Sequence, residues 1–380
     1  MSKLKKLIDK YCPNGVEYKS LGDEDVSIMQ RGTSLTKKDA NEGVYPVISG
    51  GKTPAFYCDA SNRNGETITV AGSGAGAGYV QYWNEPIFVC DAFSIKGTND
   101  VLTKYLYYCL VNMQDKIYAT KKGGGVPHVH ISSIDKFLIP VPPIPVQEEI
   151  VKVLDRFAEY AAELQAELQA ELQARQEQYE HYRNKLLTFN KIGGGTRSVI
   201  WMKMSEVYDM KAGKTIISSM IENVKTLKNP YPCYGGNGLR GYVSEYNQQG
   251  NKVLIGRQGA LCGNVCFANN SFYATEHAVV VSEKGYCLPR YTYHLLTKMK
   301  LNQYKTAGAQ PGLSVSRLEK LLIPIPSMEM QLKIISILDR FDELISDLAQ
   351  GLPAEIAAVQ EQYEYYRNKL LSFPEYKLSA

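Results

Sequence analysis

Two long stretches of the chain carry apolar residues at alternating steps of three and four, the spacing at which side chains line one face of an α-helix. In the first stretch the apolar positions are Ile150, Leu154, Phe157, Ala161, Leu164, Leu168, Leu172, Tyr179, Tyr182, Leu186 and Phe189. In the second stretch they are Ile334, Leu338, Phe341, Ile345, Leu348, Leu352, Ile356, Val359, Tyr363, Tyr366, Leu370 and Phe373. Each stretch would form a helix of roughly 60 Å, longer than a single small domain needs.

The two stretches belong to an internal repeat with a constant offset of 184 residues. Gln176–Glu180 and Tyr182–Leu187 recur as Gln360–Glu364 and Tyr366–Leu371. Such a repeat indicates two equivalent units related by a pseudo-two-fold axis. Because that axis would run two packed helices in opposite directions, we predict an antiparallel helix pair. The alternative is that each helix only covers its own domain.

Two features modify the predicted helices. Gly351 and Pro353 interrupt the second stretch, so a kink or a short break is expected there. Glu163–Ala174 consists of three copies of one tetrapeptide, and each copy adds about 6 Å of helix. This segment is either a simple helix-forming spacer or a ruler between the units at its ends.

The remaining segments have the short apolar runs of strands. Thr67–Val70, Tyr79–Trp83 and Ile87–Val89 are separated by Gly, Asn and Pro residues, and helical patterns occur near 101–117 and 290–304. The fold class predicted is α+β, with two mixed α/β globular domains separated by two long antiparallel helices. The expected domains are residues 1–140, 141–190, 191–324 and 325–380.

Charge is divided unevenly among these four segments. Residues 191–324 hold 17 Lys and Arg against 7 Asp and Glu, and residues 1–140 hold 16 against 14. Both helical segments hold 5 against 9. Basic globular domains joined by acidic helices suggest that the domains bind a polyanion while the helices face another partner. For residues 1–140, an ordinary solvated surface is an equally simple explanation.

Composition favours a soluble globular protein, with 44% hydrophobic and 22% charged residues. We found no signal peptide and no apolar stretch long enough to span a bilayer, so we expect a cytoplasmic protein without membrane contact. Of the eight cysteines, only Cys262 and Cys266 are close in sequence, and a zinc site would need a second such pair. Reduced, buried thiols are therefore expected, and no metal site is predicted.

Three motifs resemble those of enzymes without matching them. The glycine-rich segment Gly72–Gly78 is followed by a predicted strand and not by a helix, which favours a tight turn over a dinucleotide loop. Asn229–Pro232 has the wrong residue order for an adenine methyltransferase, and no phosphate-binding P-loop is present. His128 and His130 form a metal pair only if further ligands exist.

The chain resembles the specificity subunits of type I restriction-modification systems (the HsdS family) over nearly its whole length. The resemblance depends on two variable and two helical regions, the latter entered through Leu138–Pro142 with Gln147 and Leu322–Pro326 with Gln331. It implies a noncatalytic subunit whose two target recognition domains each read half of a bipartite target in double-stranded DNA. The helices would set the gap and recruit two modification (methyltransferase) subunits, together with motor-nuclease restriction subunits where these exist. The divergent domains imply that the target is asymmetric.

Residues that contact DNA are expected among polar side chains of the glycine-rich loops, since Arg reads guanine, Asn and Gln read adenine, and Lys binds phosphates. The candidates are Arg31, Lys37, Lys38, Ser73, Lys121, Lys122, His128, His130, Lys214, Arg240, Arg257, Gln258, Lys305 and Gln310. Ordinary surface positions are the alternative for each.

The repeated helix endings are the predicted docking sites for the modification subunits, and the residues concerned are Tyr182, Arg183, Asn184, Lys185, Tyr366, Arg367, Asn368 and Lys369. Pairing within the helices is the alternative for the two arginines. S-adenosylmethionine, ATP and magnesium would be used by partner subunits, and no cofactor is expected in this chain. A self-sufficient DNA-modifying enzyme and a coiled-coil structural protein without a DNA role are the alternative functions.

Overall fold

A computed structural model describes residues 3–123, 125–189, 199–259, 261–306 and 312–376. The chain divides into two compact units. The first unit comprises Met1–Glu167 and Pro353–Ala380, and the second unit comprises Leu168–Leu352. Each unit therefore contains one globular head and a segment of each of two 43-residue helices.

The elements alternate between the two heads and the two long helices. The first head contains α1 (Lys3–Tyr11), β1 (Glu17–Ser20), β2 (Ser27–Arg31), β3 (Tyr45–Ile48), β4 (Phe56–Cys58), β5 (Thr67–Ala71), β6 (Val80–Trp83), β7 (Phe88–Val89), β8 (Ala92–Gly97), α2 (Thr103–Asn112), α3 (Gln114–Ala119), α4 (Ile131–Ile134) and β9 (Leu138–Val141), and α5 (Ile144–Leu186) follows. The second head contains β10 (Ile200–Lys203), α6 (Met204–Val207), β11 (Tyr208–Ala212), β12 (Tyr231–Gly235), β13 (Gly238–Val243), β14 (Gln248–Gln249), β15 (Lys252–Gly256), β16 (Val265–Ala268), β17 (Ser271–Ala274), β18 (Ala278–Glu283), α7 (Pro289–Lys298), α8 (Val315–Leu318) and β19 (Leu322–Ile325), and α9 (Met328–Leu370) follows. Short 3-10 helices lie at Ser218–Met220 and Leu301–Tyr304. Among the residues that the structure describes, no helix has the length and apolar character needed to cross a membrane.

The first head is built on a four-stranded antiparallel sheet with the order β2-β8-β5-β6. Strand β5 is rich in β-branched residues and is buried along its whole length, as expected of an inner strand. A second sheet has the order β4-β3-β7, in which β3 and β7 are parallel, and β1 pairs with β9. Tyr105, Leu106 and Leu110 of α2 share one core cluster with Ile68 of β5 and Leu154 of α5.

The second head has the corresponding strand orders β11-β18-β15-β16 and β13-β12-β17-β14, the latter with β14 as an additional strand, and β10 pairs with β19. Its α7 packs into a core with Val253 and Ile255 of β15 and Leu338 of α9. The predicted mixed α/β heads and the helical patches near 101–117 and 290–304 are confirmed.

A buried glutamine attaches the first head to α5. Gln147 is fully buried, and its Nε2 donates to the carbonyl oxygens of Asp100 and Pro142, each at 2.7 Å. Its Oε1 accepts a hydrogen bond of 2.9 Å from the amide of Leu102. One side chain thus satisfies three backbone groups that would otherwise be unpaired where the long helix begins.

Gln331 makes the same three bonds in the second unit. It donates to the carbonyl oxygens of Tyr286 at 2.9 Å and Pro326 at 3.0 Å, and it accepts from the amide of Leu288 at 2.9 Å. The repeat therefore preserves a specific hydrogen-bonding junction as well as an apolar pattern.

Within the first unit, α5 and α9 run antiparallel. Phe157 stacks on Tyr366 with ring centroids 5.4 Å apart, and α5 residues between 158 and 165 line one cavity with α9 residues between 356 and 363. In the second unit the partners are exchanged, since Phe341 of α9 stacks on Tyr182 of α5 at 5.3 Å. Each ring pair therefore joins one copy of the repeat to the other.

Helix α9 continues through Gly351 and Pro353, so the expected short break is wrong. Proline holds φ near −65°, which is a helical value, and it removes only one backbone donor. Helix α9 packs into the core of the second unit through Ile345 and into the core of the first unit through Tyr363, so tertiary contacts hold the helix on both sides of this point.

Residues from both ends of the chain meet in the first unit. Val16 forms a bridge with Glu375, and its amide donates to the carbonyl oxygen of Pro374 at 2.9 Å. The hydroxyl of Tyr18 donates to the carbonyl oxygen of Phe373, also at 2.9 Å. The residues after α9 are thereby attached to the first head.

Candidate nucleic-acid interface

The glycine-rich segment 72–78 of the first head is a tight turn between the antiparallel strands β5 and β6, as predicted. Gly74 and Gly78 have φ values of +78° and +82°, which residues with a side chain rarely adopt. A Cβ on Gly50 would lie 2.2 Å from the carbonyl oxygen of Ser73, so the loop after β3 packs directly on the turn. These glycines allow the backbone of the loop after β3 to lie close to the backbone of the turn.

A third segment, which includes Lys122 and His128, also contacts the turn. The backbones of Lys122 and His128 exchange hydrogen bonds of 3.0 and 2.8 Å, and His128 also forms a bridge with Ser73. The amide of Val129 donates to the carbonyl oxygen of Gly72 at 2.9 Å. Three loops therefore converge on one face of the first head.

A cavity of about 200 Å³ lies on this face and is lined by Arg31, Asp91, His128 and His130, among others. The two imidazole rings are nearly parallel, with an interplanar angle of 4° and centroids 6.0 Å apart. The hydroxyl of Ser73 donates to the carboxylate of Asp91. Sequence reasoning had singled out every one of these residues except Asp91.

The four predicted lysines of the first head are more scattered. Lys37 and Lys38 are exposed in the segment between β2 and β3, outside the residues that line the cavity. Lys122 is exposed beside His128, whereas Lys121 is half-buried with its ammonium group 4.2 Å from the centre of the Tyr118 ring.

The second head has the same convergence of loops with different side chains. Strands β15 and β16 are adjacent and antiparallel, and Gln258, which follows β15, bridges to Gly312 in the way that Ser73 bridges to His128. A Cβ on Gly236 would lie 2.5 Å from the carbonyl oxygen of Gln258. Equivalent positions of the two heads thus make the same backbone contacts but carry different side chains.

A larger cavity of about 640 Å³ lies here, and its lining includes Asn237, Arg240, Gln258 and His277. Arg240 is exposed and its Nη2 donates to the hydroxyl of Ser218 at 2.8 Å. The amide and guanidinium groups of this cavity are donors and acceptors of the kind that read base edges. Asn237 and His277 were not among the predicted residues.

The other predicted residues of the second head vary in position. Lys214 and Lys305 are exposed, and the amide of Lys214 donates to the carbonyl oxygen of Ala274 at 3.0 Å. Arg257 is half-buried beside Gln258. Gln310 lies outside the described residues.

Four buried polar atoms at or beside this cavity have no hydrogen-bond partner within the described part of the chain. These atoms are Arg257 Nε, Thr275 Oγ1, Glu276 Oε2 and His277 Nδ1. Leaving such an atom unpaired costs about 1–3 kcal/mol, and four of the nine such atoms among the described residues lie together here. Their grouping favours the cavity as a binding surface.

The predicted docking residues differ in exposure. Tyr182, Asn184, Lys185, Tyr366, Asn368 and Lys369 are exposed. Arg183, by contrast, is only 6% exposed, with its guanidinium 5.0 Å from the centre of the Tyr179 ring. Arg367 lies 5.4 Å from the Tyr363 ring and donates through Nε to Asn112 at 3.3 Å. Both arginines therefore make contacts inside their own units.

A separate polar cluster lies between α7 and α9 in the second unit. His294 is fully buried, with Nε2 2.7 Å from Asp339 Oδ1 and Nδ1 3.1 Å from the hydroxyl of Tyr179. Arg290 bridges Asp339 and Asp342 through Nη2 at 2.7 and 2.9 Å.

Burial lowers the pKa of His294, outweighing the hydrogen bond to Asp339 that favours its charged form. Burial also pushes the pKa of Asp339 upward, yet the hydrogen bonds from Arg290 and His294 outweigh it and leave that pKa below its ordinary value. His294, Asp339 and Asp342 have a spacing that would suit a metal ion. Arg290 already pairs with both carboxylates, so we interpret the cluster as structural.

Comparison with known proteins gives concordant results. Residues 13–174 and 200–358 match the family model of the type I restriction modification DNA specificity domain. The EcoprrI type I restriction enzyme specificity subunit of Escherichia coli is 40% identical over 272 residues, which cover 69% of this chain and 67% of that protein. The putative type I restriction enzyme specificity subunit S.HindORF215P of Haemophilus influenzae is 30% identical over 388 residues, covering 94% and 96%.

Solved structures show the same fold at low sequence identity. A chain from a structure on complex assembly and conformational transition of the type I R-M system aligns with a TM-score of 0.71 at 16% identity, covering 94% of this chain and 98% of that one. The HsdS subunit from Thermoanaerobacter tengcongensis aligns with a TM-score of 0.56 at 16% identity, covering 95% and 97%.

Proposed function

Because the chain belongs to the family of type I restriction-modification specificity subunits, we propose that it selects the DNA sequence on which a type I complex acts. Each head reads one half of a bipartite target in double-stranded DNA, and the long helices set the gap between the halves. The observation that carries this proposal is that each head has a cavity lined by loops. Equivalent backbone segments form the two cavities, but the side chains that line them differ.

The difference between the heads bears on the target itself. Ser73 of the first head corresponds to Gln258 of the second, and His128 corresponds to Gly312, because each pair forms the same backbone bridge. Side chains of unlike hydrogen-bonding capacity select different bases. The two half-sites should therefore differ, so that the target is asymmetric.

Charge supports DNA as the ligand of the heads. Residues 191–324 carry a net charge of +10, and lysines and arginines in such a segment can replace counterions on phosphates. We expect affinity to fall steeply as salt concentration rises.

We propose that the chain itself is noncatalytic. Methyl transfer from S-adenosylmethionine would be performed by two modification subunits, and ATP- and magnesium-dependent cleavage by restriction subunits where these are present. Incubating the purified chain alone with S-adenosylmethionine carrying a labelled methyl group and duplex DNA should give no labelled product. Labelled DNA would instead support a self-sufficient modifying enzyme.

The modification subunits are proposed to dock on the exposed residues of the repeated helix ending, including Lys185 and Lys369. Charge reversal at Arg183 or Arg367 should also weaken assembly, but it would disturb contacts within each unit. Lys185→Glu combined with Lys369→Glu is the sharper test, with Lys152→Glu, at an exposed position of α5, as the control. Only the double variant should lose the complex on a sizing column.

The central experiment maps methylated adenines across the genome of a strain with and without this gene. We expect one bipartite motif that disappears when the gene is deleted. A methylation pattern independent of the gene would refute the proposed function, and a palindromic motif would refute the assignment of unlike half-sites to the two heads.

A further inference from the structure

One short connection occupies the same place in both heads and carries a carboxylate in each. In the first head Cys90 and Asp91 join β7 to β8, and the amide of Cys90 donates to the carbonyl oxygen of Ile48 at 2.8 Å. In the second head the connection between β17 and β18 includes Glu276 and His277. The amide of Gly72 donates to the carbonyl oxygen of Asp91 at 3.0 Å, which places Asp91 against the glycine-rich turn.

Asp91 is exposed at the cavity where the three loops of the first head converge. Its Oδ2 accepts a hydrogen bond from the Ser73 hydroxyl. None of the ion pairs found among the described residues involves Asp91, although Arg31 lines the same cavity. A neutral hydroxyl therefore orients this exposed carboxylate, and no cationic side chain among the described residues pairs with it.

A carboxylate at this position is unfavourable for binding a polyanion in general. Phosphates within about 10 Å would repel it, since charges closer than the Debye length are poorly screened. The repulsion is offset only if a ligand supplies a hydrogen-bond donor to the carboxylate. In the major groove the amino group of cytosine is the donor that aspartate reads.

We propose that Asp91 is a specificity-determining residue that accepts a hydrogen bond from the N4 amino group of one cytosine in the half-site read by the first head. Ser73 is a positioning residue, because its hydroxyl engages Oδ2 and orients the carboxylate. This inference depends on the proposed function, which supplies the DNA ligand.

The second head provides an internal comparison. There Glu276 Oε1 lies 3.2 Å from Nε2 of His277, the residue that follows it, and Oε2 is buried. The imidazole of His277 contacts this carboxylate, and Glu276 is half-buried, whereas Asp91 is exposed to a ligand. A change at Asp91 should consequently alter one half-site and leave the other unchanged.

The test uses the chain together with its modification subunits. Asp91→Asn keeps the size of the side chain and an oxygen that can accept from Ser73, but it adds an amide donor, and an amide pairs with the N6 and N7 atoms of adenine. We expect the methylated motif to change from cytosine towards adenine at a single position of one half-site. The preference for cytosine over adenine there should fall on the order of ten- to a hundredfold.

Asp59→Asn is the matched control, because Asp59 is an exposed carboxylate of the same head that accepts from Asn41 at 3.0 Å and lies outside the cavity lining. It removes the same charge and should leave the motif unaltered. Ser73→Ala should weaken discrimination at the position that Asp91→Asn changes, without creating a preference for adenine.

The outcomes separate this inference from the proposed function. If wild-type chain directs a bipartite motif and Asp91→Asn directs the same motif with unchanged base preferences, Asp91 does not read DNA and the inference is wrong. If Asp91→Asn weakens methylation of all sequences equally and lowers the melting temperature, its role is structural, which also overturns the inference. If wild-type chain directs no motif, the proposed function itself fails.

Discussion

Gln147 and Gln331 are buried amides whose importance lies in the backbone groups that they satisfy. Replacing Gln147 with alanine leaves the amide of Leu102 and the carbonyl oxygens of Asp100 and Pro142 without this partner. At about 1–3 kcal/mol for each unsatisfied group, we expect Gln147→Ala to lower the free energy of unfolding by at least about 2 kcal/mol. Urea denaturation followed by circular dichroism measures the change. Gln169→Ala, at an exposed position of α5, is the control, and an equal effect of both variants would contradict the expectation.

His294 makes the stability of the second unit depend on pH. Because burial lowers its pKa below the ordinary value of 6.5, the unfolded chain binds this proton more tightly than the folded chain. Stability should therefore fall as the pH is lowered from 6.5 towards the depressed pKa. The groups that face the imidazole are Tyr179, Arg290, Tyr293, Asp339 and Asp342.

The repeat offers a matched variant for this measurement. Tyr108 occupies the equivalent position in the first unit and donates to Asp155, the counterpart of Asp339. His294→Tyr should keep that kind of bond and flatten the decline of melting temperature below pH 6.5. An unchanged decline in the variant would show that another group is responsible.

At the scale of elements, the apolar stripe of each long helix stabilises the unit in which it lies. Leu154 is fully buried in the core of the first unit, whereas Tyr160 on the same helix is 61% exposed. We expect Leu154→Ala to destabilise the first unit by about 2–5 kcal/mol and Tyr160→Ala to have little effect. Thermal unfolding of both variants checks this, and comparable shifts in Tm would argue against the packing seen here.

The helices were predictable because their periodicity extends over many turns, which averages out local exceptions such as Pro353. The sites within the heads were harder to predict. Arg31, His128 and His130, which line the first cavity, and Ser73, which contacts Asp91, were predicted as polar residues near glycine-rich loops, and their contact with DNA stays a prediction. Asp91 and His277 were missed, since each follows a short strand and only the folding of distant loops around them reveals a cavity.

At the scale of the whole molecule, the prediction concerns the three tetrapeptides of Glu163–Ala174. Leu164, Leu168 and Leu172 are half-buried along one stripe of a continuous helix. Deleting residues 167–170 shortens that helix by about 6 Å, equivalent to at most roughly two base pairs. We expect the gap in the methylated motif to shorten while both half-sites stay the same.

The control for this deletion keeps the helix length, with Glu167→Gln and Gln169→Glu at exposed positions of the same repeat. Sequencing of methylated DNA from both strains gives the two gaps directly. An unaltered gap in the deletion strain would leave the repeat as a simple spacer.

The sequence by itself determined the twofold repeat, the long helices and the alternation of basic heads with acidic helices, because these features depend on periodicity and composition that can be counted along the chain. Only the tertiary structure decided which side chains share a surface. It turned Arg183 and Arg367 inward against tyrosine rings, brought Ser73 and His128 together from loops 55 positions apart, and placed Asp91 beside them. The physical reason is that such contacts form when loops far apart in sequence close over a folded sheet. The pattern of residues along the chain does not give the distances between those loops in space.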